Sequence, residues 1–327
     1  MFGRRNRASA APRTRLLFVS DLHGSETTFA KLLRVLELWS PDVLVVGGDV
    51  AGKGLWPVIV DNGRRRFSWM GEEHEASADA YAAVRRSALQ VGYYPLELPA
   101  GELERVQADP EARDAAFDAL MRERWADWLA RLDARCAELG VHAFVMAGND
   151  DPWSLDDLTS AEREWVRGAD GKVLPLLEDG SWTLLTCGLA NQTPWQCPRD
   201  VTEDELAAAL DALAAGVPDF GTTIANIHVP PRGFGLDLAA ELDTSVDPPR
   251  PVFGSQAPVG SSAVAAFLRA RQPAVSLHGH IHESGGAAAI GRTRAFNPGS
   301  EYGEGILRGV LVTLRGRDVL GHQFVSG

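Results

Sequence analysis

The residues with chemistry in them are Asp21 and His23, Asp49, Asn149, His228, and His280 with His282. Together they offer carboxylate, imidazole and amide donors, the mixture that holds borderline divalent transition metals, and no thiolate is among them. Any one alone says little, because an Asp or His beside a glycine is commonly a cap or turn residue. Their weight comes from position: each follows an apolar run. In Asp21-Leu22-His23 and His280-Ile281-His282, residues two apart on extended backbone point the same way, so each pair is read as gripping one ion. Gly24, Gly47, Gly48, Gly148 and Gly279 flank these donors, and glycine permits the backbone angles and close approach that a crowded ion site demands.

The elements that must position these residues are legible as apolar runs. Leu16–Val19 reads as a buried strand ending in Ser20-Asp21-Leu22-His23-Gly24. Phe29, Leu32, Leu33, Leu36 and Trp39 recur at helical spacing up to Ser40-Pro41, and Val43–Val46 is a second strand ending in Gly47-Gly48-Asp49. This β-α-β opening carries acids at both strand tips, where ligand sites of α/β sheets gather. Strands over Val141–Ala147, Thr222–Ile227 and Ala274–Leu277 lead into Asn149, His228 and the His280/His282 pair. Helices are predicted near Glu203–Leu213 and Ser261–Arg271, a loop over Pro230–Gly260, and closing strands over Val310–Leu314 and Val319–Phe324. Between the second and third donor strands, residues 55–140 read as an insertion: a hairpin around Asp61-Asn62-Gly63, then a mostly helical cap whose Trp125, Trp128, Leu129 and Leu132 form a core-packing face.

Composition narrows the function classes. The 327 residues suffice for one elaborated domain, here residues 15–327, after a basic tail over residues 1–14 that is read as disordered. Lys+Arg 32 against Asp+Glu 44 gives a net charge of −12, which repels polyanions and argues against nucleic acid as a partner. No apolar run approaches the ~20 residues of a membrane span. Cys136, Cys187 and Cys197 have no CxxC spacing and fit reduced thiols in a cytoplasmic protein. Nothing in the sequence sets an oligomeric state.

The blocks Asp21-Leu22-His23, Gly48-Asp49, Gly148-Asn149-Asp150, His228 and Gly279-His280-Ile281-His282, in this order, resemble those of the calcineurin-like metallophosphoesterase superfamily. The Asn297-Pro298-Gly299-Ser300 segment is similar to one in many smaller prokaryotic members. The resemblance implies an α/β fold, a four-layer αββα sandwich of two mixed β-sheets flanked by helices, with a cap insertion. It implies two divalent ions per chain, manganese favoured over iron or zinc. Asp21, His23 and His282 would hold the first ion, Asn149, His228 and His280 the second, with Asp49 bridging. The implied substrate is a small phosphodiester or phosphomonoester, attacked in line by a hydroxide formed between ions roughly 3.5–4 Å apart.

The match breaks at Asp150. The usual block reads Gly-Asn-His followed by an acid, and its histidine is assigned to the leaving group or the transition state; here Asp150 takes that place as the candidate catalytic residue beside Asp49. A carboxyl with an ordinary pKa near ~3.9 is a poor acid at pH 7 unless burial or neighbouring carboxylates raise it. The expectation is a substrate whose leaving group needs little protonation, or a modest rate, since a positioned acid contributes ~10²–10⁴-fold. Asp151 is expected to assist it or to orient His23. Arg232, near His228, is the first choice for a substrate contact along with Asn149, ahead of Arg64-Arg65-Arg66 on the hairpin. His278 reads as a packed core histidine, and Glu72-Glu73-His74-Glu75 as a solvated turn. The competing classes are a catalytically weak or inactive metal-binding scaffold, motivated by Asp150, and a nuclease, which the net charge opposes.

Overall fold

A computed structural model describes residues 13–246 and 249–327; most of the basic tail expected over residues 1–14 therefore lies outside the described residues. Strand β1 (Arg13–Val19), helix α1 (Glu26–Trp39) and strand β2 (Val43–Val46) form the opening β-α-β unit. Ser25 starts α1 by accepting from the Thr28 N–H, Phe29, Leu32, Val35 and Leu36 make its buried face, and Ser40 stops it in a left-handed conformation. Then come β3 (Gly54–Asp61), β4 (Arg64–Trp69), β5 (Glu72–Ala76), α2 (Ala78–Gln90), β6 (Tyr93–Leu98) and α3 (Ala100–Ala108). Helix α4 (Pro110–Leu139) opens on an Asp109 cap with Pro110 in its first turn, closes on left-handed Gly140, and leads to β7 (His142–Val145).

Beyond it lie α5 (Asp156–Ser160), β8 (Val166–Gly168), β9 (Val173–Pro175), β10 (Thr183–Cys187), β11 (Ala190–Asn191) and β12 (Asp200–Val201). Helix α6 (Glu203–Ala214) is started by a capping box between Thr202 and Glu205. Strand β13 (Thr223–Ile227), the hairpin β14 (Leu238–Asp243) with β15 (Arg250–Pro258), and α7 (Ser262–Arg271) follow. The chain ends with β16 (Val275–Leu277), β17 (Gly286–Ile290), β18 (Thr293–Asn297), β19 (Arg308–Arg315) and β20 (Asp318–Ser326).

Two six-stranded mixed sheets carry the molecule, in the orders β20-β19-β1-β2-β7-β8 and β17-β18-β16-β13-β10-β9. Alternation along each strand sorts residues into layers. Leu16 and Phe18 of β1 pack with Val43, Val45 and Phe144 against Leu184, Ile224, Val275 and Phe296 of the second sheet. Leu17 and Val19 face the other way, onto Phe29 and Leu32 of α1 and Trp128 and Leu132 of α4. Leu185, Ala225 and Ile227 likewise pack on Leu206 and Leu210 of α6 and Val264 and Leu268 of α7. The result is the expected four-layer αββα sandwich.

The insertion departs from its expected form. It holds a four-stranded sheet, ordered β5-β4-β3-β6, over a small aromatic core of Trp56, Val58, Phe67, Tyr81 and Ala88. Glu72-Glu73-His74-Glu75, read as a solvated turn, lies in the edge strand β5, where His74 stacks on Phe67. The second half of α4 belongs to the main core and not to a cap: Met121, Trp125, Trp128, Leu129, Leu132 and Cys136 are its buried residues. The Pro230–Gly260 loop contains the β14/β15 hairpin.

Trp128 joins α4 to α1: it is fully buried, stacks on Phe29 with ring centroids 4.2 Å apart, and donates to Glu26 Oε2 at 2.8 Å. Trp128→Ala is expected to cost about 3–5 kcal/mol of stability, read from urea unfolding, because it opens a cavity and removes the Phe29 stack, while Glu26 keeps Arg124 and Arg131 as partners.

Candidate metal centre

The donors come together because the strands that precede them are parallel neighbours. β1, β2 and β7 run parallel in one sheet, β13 and β16 in the other. Their C-terminal ends meet across the sandwich: His228 Nδ1 lies 2.8 Å from Gly47 O, and the His280 N–H donates to Asp21 Oδ1 at 2.9 Å. Loops within the first sheet are tied by backbone bonds from Asp21 to Gly48, His23 to Asp49 and Gly24 to Val50.

Two donor triads result, Asp21/His23/His282 and Asp49/His228/His280, each with its ligand atoms mutually within 4.8 Å. His23 Nε2 and His282 Nε2 face each other at 3.0 Å, and His282 Nε2 lies 3.6 Å from Asp21 Oδ1. Asn149 joins the second triad through Oδ1, 3.1 Å from His228 Nε2. Asp49 stands between them, Oδ2 3.6 Å from His23 Nε2 and Oδ1 3.3 Å from His228 Nε2. Lone pairs of buried nitrogens and oxygens converging on shared points, with mixed imidazole, carboxylate and amide character, fit divalent transition metals.

The convergence has a different backbone origin from the one expected. Asp21 (φ 57°), His23 (φ 43°), Asp49 (φ 51°) and His280 (φ 67°) are left-handed, so Asp21 and His23 converge through a tight turn and not through strand alternation, while His280 and His282, expected to grip one ion together, are divided between the two triads. Each such residue costs on the order of 1 kcal/mol or more and persists only where its surroundings hold it. Glycine is required where backbones touch: a Cβ on Gly148 would strike Asp49 Oδ1, and one on Gly279 would strike Asp21 Oδ2.

Several residues hold this strained arrangement. Asp151, fully buried, accepts from the N–H groups of Val50, Ala51 and Gly148, at 2.7 Å from Ala51 and 2.8 Å from Gly148. It therefore fastens two donor loops together and does not orient His23. Asp200 Oδ1 accepts from Asn149 Nδ2 at 2.9 Å, which turns the Asn149 oxygen toward His228. Arg199, fully buried, donates to Asp151 O and pairs with Asp170 and Asp156 beneath the same loop. Tyr302 packs against His23, tilted with centroids 4.7 Å apart, and edge-to-face against His282 at 5.8 Å.

Protonation follows burial and neighbouring charge. Burial works to raise Asp21, but His282 and His228 outweigh it and bring it to about 2; Asp49 is likewise held well below the usual carboxylate range, chiefly by His228. Burial would lower His228, yet Asp49 and Asp21 raise it to about 10. Burial dominates at His280, pushed down to about 4, and at His23, well below its ordinary value. Asp151 is raised to about 7 by burial and by the nearby Asp49 charge.

Asp150 sits at the mouth, where Oδ2 accepts from Lys53 Nζ at 2.5 Å and lies 3.6 Å from His23 Nδ1. Lys53, Asp200 and Tyr302 were not singled out by sequence; only the position of Lys53 four residues after Asp49 could have drawn notice. Arg232 is exposed, its backbone N–H on Ser261 O, and among the described residues no hydrogen bond or ion pair joins it to the donors. Arg64 and Arg65 lie in β4, paired with Glu75 and Glu97 of the insertion. His278 is a core histidine, bonded to Ser276 Oγ and the carbonyls of Ile227 and Val229.

The family model described as calcineurin-like phosphoesterase matches residues 14–83. No curated protein matches the chain. One solved crystal structure shares 18% identity, with a TM-score of 0.53 over 96% of this chain and 99% of that one. The crystal structure of the Thermus thermophilus protein TT1561 shares 12% identity, with a TM-score of 0.52 over 97% of this chain and 99% of that one. These two likenesses are of fold. The family match, over residues 14–83, takes in Asp21, His23 and Asp49, and the likeness to calcineurin-like phosphoesterases rests on that stretch.

Two outcomes are expected. Against burial, Asp49 and Asp21 raise His228 to about 10, so an ion held at its Nε2 would have to displace a proton at neutral pH. Manganese uptake at pH 7.5 should then release about one proton for this ligand, read by calorimetry in buffers of differing ionisation enthalpy, with affinity falling as pH drops. Asp151→Ala strands three buried N–H groups and should cost about 3 kcal/mol or more in urea unfolding, with loss of bound metal.

Proposed function

We propose that the protein is a dinuclear metal-dependent phosphoesterase that hydrolyses a small phosphodiester or phosphomonoester. The observation that carries this reading is Asp49, whose two oxygens address the two donor triads separately. Asp21, His23 and His282 would hold one ion, Asn149, His228 and His280 the other, with Asp49 shared. Carboxylate and amide oxygens beside imidazoles favour manganese, with iron or zinc as the other candidates. When bound, such ions lower the pKa of a coordinated water toward neutrality and offset the negative charge of a phosphoryl group.

The chain's own part is positioning. The Gly47 carbonyl fixes the His228 ring with Nε2 toward the centre, and Asp200 does the same for the Asn149 amide. Asp150, in its pairing with Lys53, is an acceptor, so handing a proton to a leaving group would require breaking that pair. This supports substrates with undemanding leaving groups. The net charge of −12 disfavours nucleic acid, and the free Cys136, Cys187 and Cys197 suit a cytoplasmic setting. Among the described residues no helix is long and apolar enough to cross a membrane.

The test is hydrolysis of bis(4-nitrophenyl) phosphate and 4-nitrophenyl phosphate by metal-stripped protein refilled with manganese. Turnover should return with the metal and fall by about 10³-fold or more in Asp49→Asn and His280→Ala, and the preferred ester identifies the substrate class. Two bound ions per chain with no turnover of either ester would overturn the proposal in favour of a metal-binding scaffold.

A further inference from the structure

Lys53 is a charged side chain at the mouth of the centre that metal holding does not use. Its position is costly, since an ammonium beside a site for divalent cations is repelled by them. The Asp150 Oδ2 that it meets at 2.5 Å lies 3.6 Å from His23 Nδ1, which places it close to the first triad. The backbone around it is fixed by the insertion: the Lys53 N–H donates to Gly92 O at 2.8 Å, the Gly52 N–H to Tyr94 Oη at 2.9 Å, and Gly54 pairs with Tyr93 where β3 meets β6. A Cβ on Gly92 would strike the His23 carbonyl, so the turn between α2 and β6 lies directly on a donor loop.

The ammonium itself is only partly spent. Among the described residues its one hydrogen bond is to Asp150 Oδ2, at 2.5 Å, and its side chain is 35% exposed. An ammonium carries three N–H donors, so two remain for a ligand. We infer that Lys53 is an anion-binding residue of this centre, gripping a non-bridging oxygen of a phosphoryl group, with Asp150 as the residue that positions it and the β3–β6 pairing as its mount. The inference rests on the phosphoesterase reading of the centre and adds the group that receives the substrate's charge. It also gives the insertion a chemical task, because Lys53 immediately precedes β3 and its backbone is held by Gly92, just before β6.

The competing role for Lys53 is to neutralise Asp150. His23, Asp49 and Asp150 form a third group able to hold an ion, and the pair with Lys53 keeps that carboxylate occupied. The two roles differ in what the charge-free variant does. Manganese-loaded full-length protein is titrated with orthophosphate by calorimetry, as wild type, Lys53→Met and Lys53→Arg, with metal content and melting temperature measured on each. Lys53→Met should keep the wild-type metal content and melting temperature while its Kd for orthophosphate rises tenfold or more, and Lys53→Arg should recover most of the loss. Unchanged phosphate affinity in Lys53→Met overturns the inference, as does a loss that tracks altered metal content or a wild type that does not bind orthophosphate. Binding that depends on Lys53 in a protein that turns over no ester would uphold this inference and sink the phosphoesterase reading; ester turnover with Lys53-independent phosphate binding would do the reverse.

Discussion

Asp21 and Asp49 are 1% and 3% exposed, and a carboxylate withdrawn from water must meet positive charge or surrender its own. The rest of the structure answers that demand. Imidazoles are brought in from the opposite sheet, His228 to Asp49 and His282 to Asp21, so the electrostatic requirement also pins the two sheets together at their donor ends. A divalent ion in each triad would satisfy the same carboxylates more fully.

Satisfying the carboxylates imposes a second constraint, on the backbone. Four donors adopt left-handed conformations, and loops so strained stay put only when tied from several sides. Asp151 ties the Asp49 loop to the Asn149 loop, Arg199 holds the underside of the latter, and Asn297 donates to Ile281 O beneath the His280/His282 loop. The insertion adds its own restraint through Gly92 and Tyr94, so the centre is braced by both sheets' loops and by the insertion.

How much of this could be read from the sequence depended on which physical signal carried it. Runs such as Leu16–Val19 and Val43–Val46 announce buried parallel strands because both faces are apolar, and the donors that follow them are legible for the same reason. Strand β5, Glu-Glu-His-Glu-Ala, carries no such signal: it is an edge strand whose pairing with β4 overrides its polar composition. The β14/β15 hairpin has no buried residue and hides behind its prolines and glycines for a similar reason. The left-handed donors were missed because non-glycine residues rarely adopt that region, and Lys53, Asp200 and Tyr302 because their roles exist only through contacts distant in sequence.

The strand order of the first sheet bears on how the chain reaches this state. β1 lies between β2 and β19, so one of its edges is filled early by a neighbour about thirty residues away and the other only by residues 308–315. Until that late partner arrives, an apolar strand leading straight into Asp21 and His23 presents unpaired backbone groups, the template on which chains aggregate. Closing so long a loop is slow, which makes assembly of β19 onto β1 a natural rate-limiting event. The first donors to be synthesised are thereby among the last to be locked in place.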